Sequence, residues 1–289
     1  MNTICSAEDI TIFNKEGTPT EHISFEIHEG HILGLIDKDG NAARLLQAIG
    51  GFYKVSDGQI LYADHLLTPK GSLSTNIQYV PDDIVCYPDL TVEDFIIGAA
   101  ACSGTEALHE QIRLIKMFGI DIKEHLLNMT FEHNRLIAYI MAISAKPKLL
   151  LIEEPYDMIS TKGFMLLSRE LVTLHKNGTA IVFSAHSFDD LKFPCGSYIF
   201  MSDNDIRNYE RIQLPHPAKV ITIRGGHLAN QDTGDCTILS SGNKQTRFLY
   251  HNRNKNNLIL MLYRTGCKDF LVDELSMEEA VYEDYSRWM

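Results

Sequence analysis

No apolar stretch of this 289-residue sequence is long enough to cross a bilayer, and no basic stretch offsets its net charge of −12. The acidic balance argues against a general nucleic-acid-binding protein, because binding to phosphate backbones needs clustered lysine and arginine. The six cysteines (positions 5, 86, 102, 195, 236 and 267) form no CxxC pair, and no histidine stands at ligand spacing from them. We therefore expect reduced thiols in a cytoplasmic protein and predict no metal site.

Low-complexity stretches and internal repeats are also absent, and residues 1–13 lack the basic start and apolar middle of a signal peptide. What the chain does contain is a hydrophobic fraction of 45%. That fraction, over this length, suffices for one large domain with a full core plus a small appendage.

The segment from Lys148 to Pro155 holds four consecutive apolar residues followed by Glu153 and Glu154. A short apolar run without alternation is typical of a central parallel strand that is buried on both faces. Acidic residues at the carboxyl end of such a strand lie where open α/β sheets bind ligands. Taken alone, a buried strand that runs into an acidic turn is the more common explanation, and the neighbouring motifs must decide between the two.

The first fifty residues predict three strands, a turn and a helix. Strands at 3–13 and 22–28 alternate apolar and polar residues, and an apolar strand follows at 30–36. The turn at 37–43 contains a glycine, and a helical pattern covers 44–51. A strand, a glycine-containing turn and a helix in this order form the context in which phosphate-binding loops occur.

Here the sequence resembles the ATPase domain of ABC transporters, beginning with the stretches ISFEIHEGHILGLI (23–36) and LLQAIGGFYKVSDGQILYADHLL (45–67). Further segments resemble the family's elements in the same order. Residues 77–82 with 87–93 resemble the Q-loop strand and the entry to the helical subdomain, and 147–155 resemble the Walker B strand. Residues 179–186 resemble the strand before the switch histidine, and 195–205 resemble the closing hairpin. The resemblance covers about residues 3–208. It favours the ligand-binding interpretation of Glu153 and Glu154.

The resemblance implies an α/β fold, with a P-loop NTPase-like ABC ATPase core of mixed sheet plus helical subdomain. We expect this core in a domain of residues 1–212, with the helical subdomain at about 91–146. Thr91 followed by Asp94 predicts a helix N-cap. Residues 92–145 then predict mostly helix, with a polar break near 128–134.

The family's Walker A loop has the pattern G-x-x-x-x-G-K-S/T, in which backbone amides, the lysine and the hydroxyl hold the phosphates and Mg²⁺. Counted forward from the strand, Asp37 stands at the first glycine, Ala42 at the second, Ala43 at the lysine and Arg44 at the Ser/Thr position. Counted back from the helix, the loop is one residue short, and Gly40 is its only glycine. Neither register supplies the lysine or the hydroxyl.

Two basic residues in this loop leave two interpretations open. Lys38 and Arg44 could replace the missing phosphate ligands, or they could be ordinary surface charges at a helix start, which is the commoner case. Asp37 and Asp39 add negative charge where polyphosphate would lie. Because several contacts are lost at once, hydrolysis at this chain's own site is not expected.

The remaining nucleotide-site positions are partly retained. Glu153 replaces the Walker B aspartate, and its extra methylene displaces the carboxylate by about 1 Å, which productive geometry does not tolerate. Asp82 stands where the family has the Q-loop glutamine. The resemblance implies the catalytic base at Glu154 and the switch histidine at His186, both present as vestiges of the site.

The signature motif LSGGQ, counted back from the Walker B strand, falls on Met129 to His133. Thr130 keeps a hydroxyl, Phe131 and Glu132 replace the two glycines, and His133 could add positive charge. In the family those glycines let a helix N-terminus approach the partner's γ-phosphate. Ser160 stands where the resemblance implies the dimer-contacting aspartate of the D-loop.

The C-terminal residues 213–289 predict a small α+β domain. Strands are expected at 219–224, 236–240, 246–251 and 269–272, with an amphipathic helix at 257–266. This layout resembles the appendage of ATPases in the drug- and lantibiotic-export branch. The segment LSMEEAVYEDY (275–285) is similar to the LEDVF segment of that branch, although its acidic run is also typical of a solvated helix face.

The resemblance as a whole implies a catalytically degenerate ATP-binding subunit of an ABC transporter, of exporter or immunity type. Such a subunit would bind ATP and Mg²⁺ weakly or not at all. It would pair with an intact ATPase subunit and a separate permease, and lie in the cytoplasm at the inner face of the membrane, with no nucleic-acid partner. Two alternatives remain: a regulatory or scaffold protein that keeps the fold for interaction only, and an active ATPase rebuilt around Lys38 and Arg44.

Overall fold

The computed structural model describes residues 2–14, 16–37, 40–67, 76–82, 90–103, 105–187, 195–202, 205–210, 219–224, 236–241, 245–250, 262 and 269–274. The chain forms two compact units, Met1–Ile212 and Gln213–Met289. The first unit has the expected mixed α/β fold. Its strands are β1 (Thr3–Phe13), β2 (Pro19–His28), β3 (Ile32–Asp37), β4 (Asp57–Tyr62), β5 (His65–Leu66), β6 (Ile77–Val80), β7 (Leu149–Glu153), β8 (Ala180–Ala185), β9 (Ser197–Ser202) and β10 (Asp205–Glu210), and its helices are α1 (Asn41–Ile49), α2 (Val92–Ser103), α3 (Thr105–Phe118), α4 (Phe131–Ser144) and α5 (Thr161–Lys176).

An antiparallel sheet in the order β2-β1-β4-β5 carries the N-terminal strands. The first predicted strand is confirmed, and the second begins at Pro19, three residues earlier than expected. The earlier start follows from a tight turn, because the Asn14 side chain accepts hydrogen bonds from the amides of Glu16 and Thr18 at 2.9 and 2.8 Å. The inward-facing isoleucines of β1 and β2 are fully buried.

The second sheet has the order β10-β9-β3-β8-β7-β6, with only the edge strand β10 antiparallel to its neighbour. Strands β3, β7 and β8 are buried along their whole length, as a strand covered on both faces requires. The leucines and isoleucines of α1 join the apolar residues of both sheets in one core. The predicted strand at Lys148–Pro155 is therefore confirmed as a central strand, β7.

The helical region begins with a capping box. The Thr91 hydroxyl accepts from the amide of Asp94 at 3.1 Å, and the Asp94 carboxylate accepts from the Thr91 amide at 3.3 Å, so the predicted N-cap is confirmed. The predicted break at 128–134 is displaced. Helix α3 ends before Gly119, whose φ of 76° lies in the left-handed region, and α4 already begins at Phe131 because Thr130 caps it.

The C-terminal unit contains an antiparallel sheet in the order β12-β13-β11-β14. Its strands are β11 (Lys219–Arg224), β12 (Cys236–Ser241), β13 (Gln245–Tyr250) and β14 (Phe270–Glu274), which confirms the four predicted strands. Ile221, Ile223, Phe248 and Tyr250 pack with Leu262 in a small core. The rest of the predicted helix at 257–266 and the segment 275–285 lie outside the described residues. None of the described helices is both long and apolar enough to cross a membrane.

Candidate functional site

Four neighbouring parallel strands place the predicted site residues along one edge of the second sheet. Asp37 ends β3, Glu153 ends β7 and Glu154 follows it. His186 follows β8, and Asp82 lies two residues beyond β6. The carboxyl ends of adjacent parallel strands meet at this edge, which is the ligand-binding edge of open α/β sheets. The fold thus brings together residues that are up to 149 positions apart in the chain.

The Asp37 carboxylate occupies the N-terminus of α1. Its Oδ2 accepts a hydrogen bond from the backbone amide of Asn41 and another, of 3.1 Å, from the amide of Ala42. The residue is only 3% exposed. A carboxylate at a helix N-terminus satisfies amides that have no partner within the helix and interacts favourably with the helix dipole. This capping extends the helix, so α1 begins at Asn41 and not at Arg44 as expected.

Among the other described positions of the predicted loop, Arg44 is the one charged residue. Gly40 is the N-cap residue of α1, with a left-handed φ of 80°, and Ala42 is buried while Ala43 is partly buried. The guanidinium of Arg44 donates to Gln47 at 3.0 Å and lies 4.6 Å from the centre of the Tyr53 ring. Lys38 and Asp39 lie outside the described residues.

The Glu153 carboxylate is surrounded by donors of its own chain. Its Oε1 accepts from the hydroxyl of Tyr79 and, at 3.4 Å, from the side chain of Gln47. Its Oε2 accepts from the backbone amide of Asp82 at 3.1 Å. Burial, reinforced by the bond to Glu153, raises the pKa of the Tyr79 hydroxyl well above its usual range, so the phenol remains a donor.

Glu154 and His186 lie close enough to interact. Glu154 Oε1 is 3.7 Å from His186 Nε2, and His186 Nδ1 is 3.2 Å from the carbonyl oxygen of Asp37. The backbone of Glu154 has a φ of 40°, a left-handed conformation that is unusual for a residue with a side chain. The residues predicted at the base and switch-histidine positions are therefore adjacent in this chain.

Arg135 is the site residue that sequence reasoning missed. The residue is only 3% exposed. Its Nη1 donates to the Asp82 carbonyl at 2.8 Å and to the Asp82 carboxylate at 3.2 Å. Its Nη2 donates to the carbonyl of Glu153 at 2.6 Å and to that of Glu154. The negative charge of Asp82, which replaces the family's neutral glutamine, is thus paired with Arg135. The sequence did contain a signal for this role. Arg135 lies one turn before Tyr139, on the apolar face of the helix, where a charged side chain must find partners within the chain.

The predicted signature residues surround the start of α4. The Thr130 hydroxyl accepts from the amide of His133 at 3.2 Å, and His133 Nδ1 lies 3.7 Å from Glu124. Phe131 is 80% exposed. The Glu132 side chain contacts its own chain, where its Oε1 accepts from the amide and the hydroxyl of Ser160. Ser160 in turn caps α5 by accepting from the amide of Gly163.

Comparisons with known proteins agree on one family. Residues 20–157 match the family described as ABC transporter. The chain is 23% identical, over 76% of its length, to the arabinose import ATP-binding protein AraG 1 of Burkholderia ambifaria, and 24% identical, over 60%, to the uncharacterized ABC transporter ATP-binding protein YhaQ of Bacillus subtilis. These alignments cover 48% and 59% of the two relatives, so the chain spans about half the length of the curated relatives it matches.

Solved structures show the same fold. A solved ATP-binding subunit of an ABC transporter superposes with a TM-score of 0.63 at 18% identity, over 71% of this chain and 90% of that one. CbiO1 from Clostridium perfringens, part of the ABC transporter complex CbiONQ, gives a TM-score of 0.58 at 20% identity, over 73% and 89% of the two chains. The fold predicted from the sequence is therefore confirmed.

Proposed function

Because this chain belongs to the family of ABC-transporter ATP-binding domains, we propose that it is a catalytically degenerate subunit, one that keeps the fold but neither binds MgATP tightly nor hydrolyses it. The single observation that carries the proposal is the position of Asp37. Its buried carboxylate accepts hydrogen bonds from the amides of Asn41 and Ala42 at the start of α1. In an active subunit this end of the helix would hold a nucleotide phosphate.

We call the backbone amides of Asn41 and Ala42 the phosphate cradle. A phosphate entering this cradle would meet the Asp37 carboxylate, which these amides already bind. Displacing the Asp37 carboxylate would leave a buried charge without its hydrogen bonds, which costs about 1–3 kcal/mol or more. A phosphate left beside it would be repelled by the like charge at short range. No lysine replaces the lost one among the described residues, since Ala43 stands at that position and Arg44 donates to Gln47.

The residues present also do not fit a magnesium ion. The family's serine or threonine is replaced by Arg44, which has no acceptor atom in its side chain. Both oxygens of Glu153 already accept hydrogen bonds from Tyr79, Gln47 and the Asp82 amide. A metal would have to displace these donors. The family has the shorter aspartate at this position, and the extra methylene of Glu153 would place the carboxylate wrongly for the metal. We therefore derive no catalytic step through a nucleotide or a metal.

Glu154 and His186 keep the base and switch positions, but without phosphate and metal they have no substrate to act on. In this proposal their pairing at 3.7 Å is structural. The substitution Glu154→Gln should then leave the ATPase rate of any assembled complex nearly unchanged. The same substitution at the catalytic glutamate of an intact ATPase partner should abolish turnover.

The proposal includes partners that supply what this chain lacks. A separate permease would provide the membrane passage, and a second, intact ATPase would provide hydrolysis, so that this chain lies in the cytoplasm against the inner face of the membrane. We propose export as the direction of transport, because the C-terminal residues resemble those of drug- and lantibiotic-export ATPases. The names of several relatives specify sugar import, and the transported substrate would be recognised by the permease.

Affinity purification of the tagged chain from its native membrane tests the proposed assembly. We expect a permease and an ATPase with intact motifs to co-purify at constant ratio, and detergent-solubilised membranes to retain ATPase activity that depends on that partner. Recovery of a soluble regulatory complex without permease would favour the alternative, a scaffold that keeps the fold for protein interaction only. ATP turnover by the purified chain alone would contradict the proposal.

A further inference from the structure

Arg135 lies between two loop ends that are far apart in the sequence. The residue sits in the second turn of α4, and its two terminal nitrogens point to different strands. Nη1 donates to Asp82 O at 2.8 Å, to Asp82 Oδ1 at 3.2 Å and to Pro81 O at 3.3 Å, just beyond β6. Nη2 donates to Glu153 O at 2.6 Å and to Glu154 O, at the end of β7.

Tyr139, one turn further along α4, adds a third contact to the same end of β7. Its hydroxyl donates to the Pro155 carbonyl at 2.8 Å, and Arg135 lies 5.8 Å from the centre of its ring. Three successive carbonyls, from Glu153 to Pro155, are therefore held by two side chains of one helix face. These carbonyls lie on and beside Glu154, whose backbone is left-handed. Such a strained conformation persists only where surrounding contacts hold it.

We propose that Arg135 is a two-sided clamp that fixes the ends of β6 and β7 to α4, and with them the helical region to the sheet, without any nucleotide. A guanidinium suits this task because it is always charged and presents planar donors in two directions. It is a positioning residue, since it holds the backbone that carries Asp82 and Glu154 and does not itself contact a substrate. The clamp does not rest on the proposed function, because every contact in it belongs to the folded chain.

The clamp makes the two loop ends open together. The Asp82 amide donates to Glu153 and the Asp157 amide donates to the Glu154 carbonyl at 3.2 Å, so both amides report on segments that Arg135 holds. Local openings of this kind are measured by native-state hydrogen exchange. If Arg135 is shared between the segments, losing it exposes both amides; if it serves only one, a single amide responds.

The test compares hydrogen exchange of the full chain with that of Arg135→Lys, which keeps the charge but reaches only one side. We expect exchange at Asp82 and Asp157 to rise together by about tenfold or more in the variant. Arg113→Lys is the matched control, because Arg113 also joins two elements, bonding Glu110 and Glu170, but away from the clamp. Ile10→Val, in the buried face of β1, controls for a general loss of stability.

The clamp would be overturned if exchange in Arg135→Lys stays unchanged or rises at only one of the two amides. It would also be overturned if Ile10→Val, at an equal free energy of unfolding, raises exchange at both amides as much as Arg135→Lys does. If Arg135→Lys does not fold, Asp82→Ala removes the side-chain contact, leaves the backbone carbonyls of the clamp in place and should still raise exchange at Asp82; no rise there also overturns the clamp. A parallel wild-type sample with MgATP tests the proposed function separately. A change in exchange on adding nucleotide would count against that function and leave the clamp standing.

Discussion

Glu132 Oε1 lies 3.0 Å from the backbone amide of Ser160 and also accepts from the Ser160 hydroxyl, so this carboxylate joins the start of α4 to the start of α5 within one chain. Gly163 leaves room for it, because a Cβ there would stand 2.6 Å from the same oxygen. Phe131, in contrast, is directed outward. The two residues that replace the signature glycines therefore have different consequences.

If residues 129–133 are an obstructed signature, Phe131→Gly should raise the ATPase rate of an assembled complex, since it removes an exposed ring that would keep the start of α4 away from a partner's phosphate. We expect a gain of about tenfold or less, because this substitution restores only one of the two signature glycines. Glu132→Gln is the control: its side-chain oxygen can still accept from Ser160, so the rate should not change. A rate that is unchanged or lower in Phe131→Gly, with the complex assembled, would remove the assignment of 129–133 as an obstructed signature.

Tyr79→Phe should destabilise the chain by about 1–3 kcal/mol, because it leaves the buried Glu153 carboxylate without its hydroxyl donor. Urea unfolding followed by circular dichroism measures the difference. Tyr53→Phe is the matched control, since the Tyr53 hydroxyl has no hydrogen-bond partner in the described part of the chain while its ring still contacts Arg44. Equal effects of the two substitutions would show that Tyr79 contributes packing rather than the bond to Glu153.

Burial raises the pKa of the Cys5 thiol to about 12, from an ordinary value of 9.0. Between these values the unfolded thiol is ionised while the folded one keeps its proton, so the free energy of unfolding should fall as pH rises through this window. Cys5→Ala should lose less stability than the wild type between about pH 8 and about pH 10.5 in urea titrations. Equal losses would contradict the burial of this thiol, as would rapid alkylation of Cys5 in the folded chain at neutral pH.

Much of the fold could be predicted because hydrophobic patterns determine it. The unbroken apolar run of β7 predicts a strand buried on both faces, and the Thr91–Asp94 pair predicts the start of α2; both are confirmed. The start of α1 was wrong by three residues because the prediction treated Asp37 as a lost glycine. The Asp37 carboxylate accepts from the amide of Asn41, four residues later, at the true start of the helix. The helical pattern visible in the sequence begins only at residue 44, so it did not reveal this contact.

The candidate site was less predictable, since its contacts join distant segments. The bonds of Arg135 to Asp82 and to Glu153 span 53 and 18 residues, and that of Glu132 to Ser160 spans 28. Motif positions identify which residues stand at the site, but the direction of each side chain depends on tertiary packing. The carboxylates of Asp37 and Glu132, for example, accept hydrogen bonds from donors of the chain itself.

A restored loop tests the role of Asp37 separately from the missing side chains. The substitutions Ala43→Lys and Arg44→Ser together return the lysine and the hydroxyl but leave the Asp37 carboxylate on the amides of Asn41 and Ala42. We expect this double variant to bind MgATP at least about tenfold more weakly than the triple variant that adds Asp37→Gly, because like charge and an occupied cradle oppose the phosphate. Equal affinities would show that Asp37 does not close the cradle.

Titration calorimetry of the purified chain with ATP and Mg²⁺ tests the central claim most directly. Because the Asp37 carboxylate accepts from amides at the start of α1 and both oxygens of Glu153 accept from donors of the chain, we predict no heat beyond dilution, with or without the metal, up to millimolar nucleotide. A dissociation constant in the micromolar range that depends on Mg²⁺ would contradict the account, since it would require the cradle and the metal site to be open in this chain.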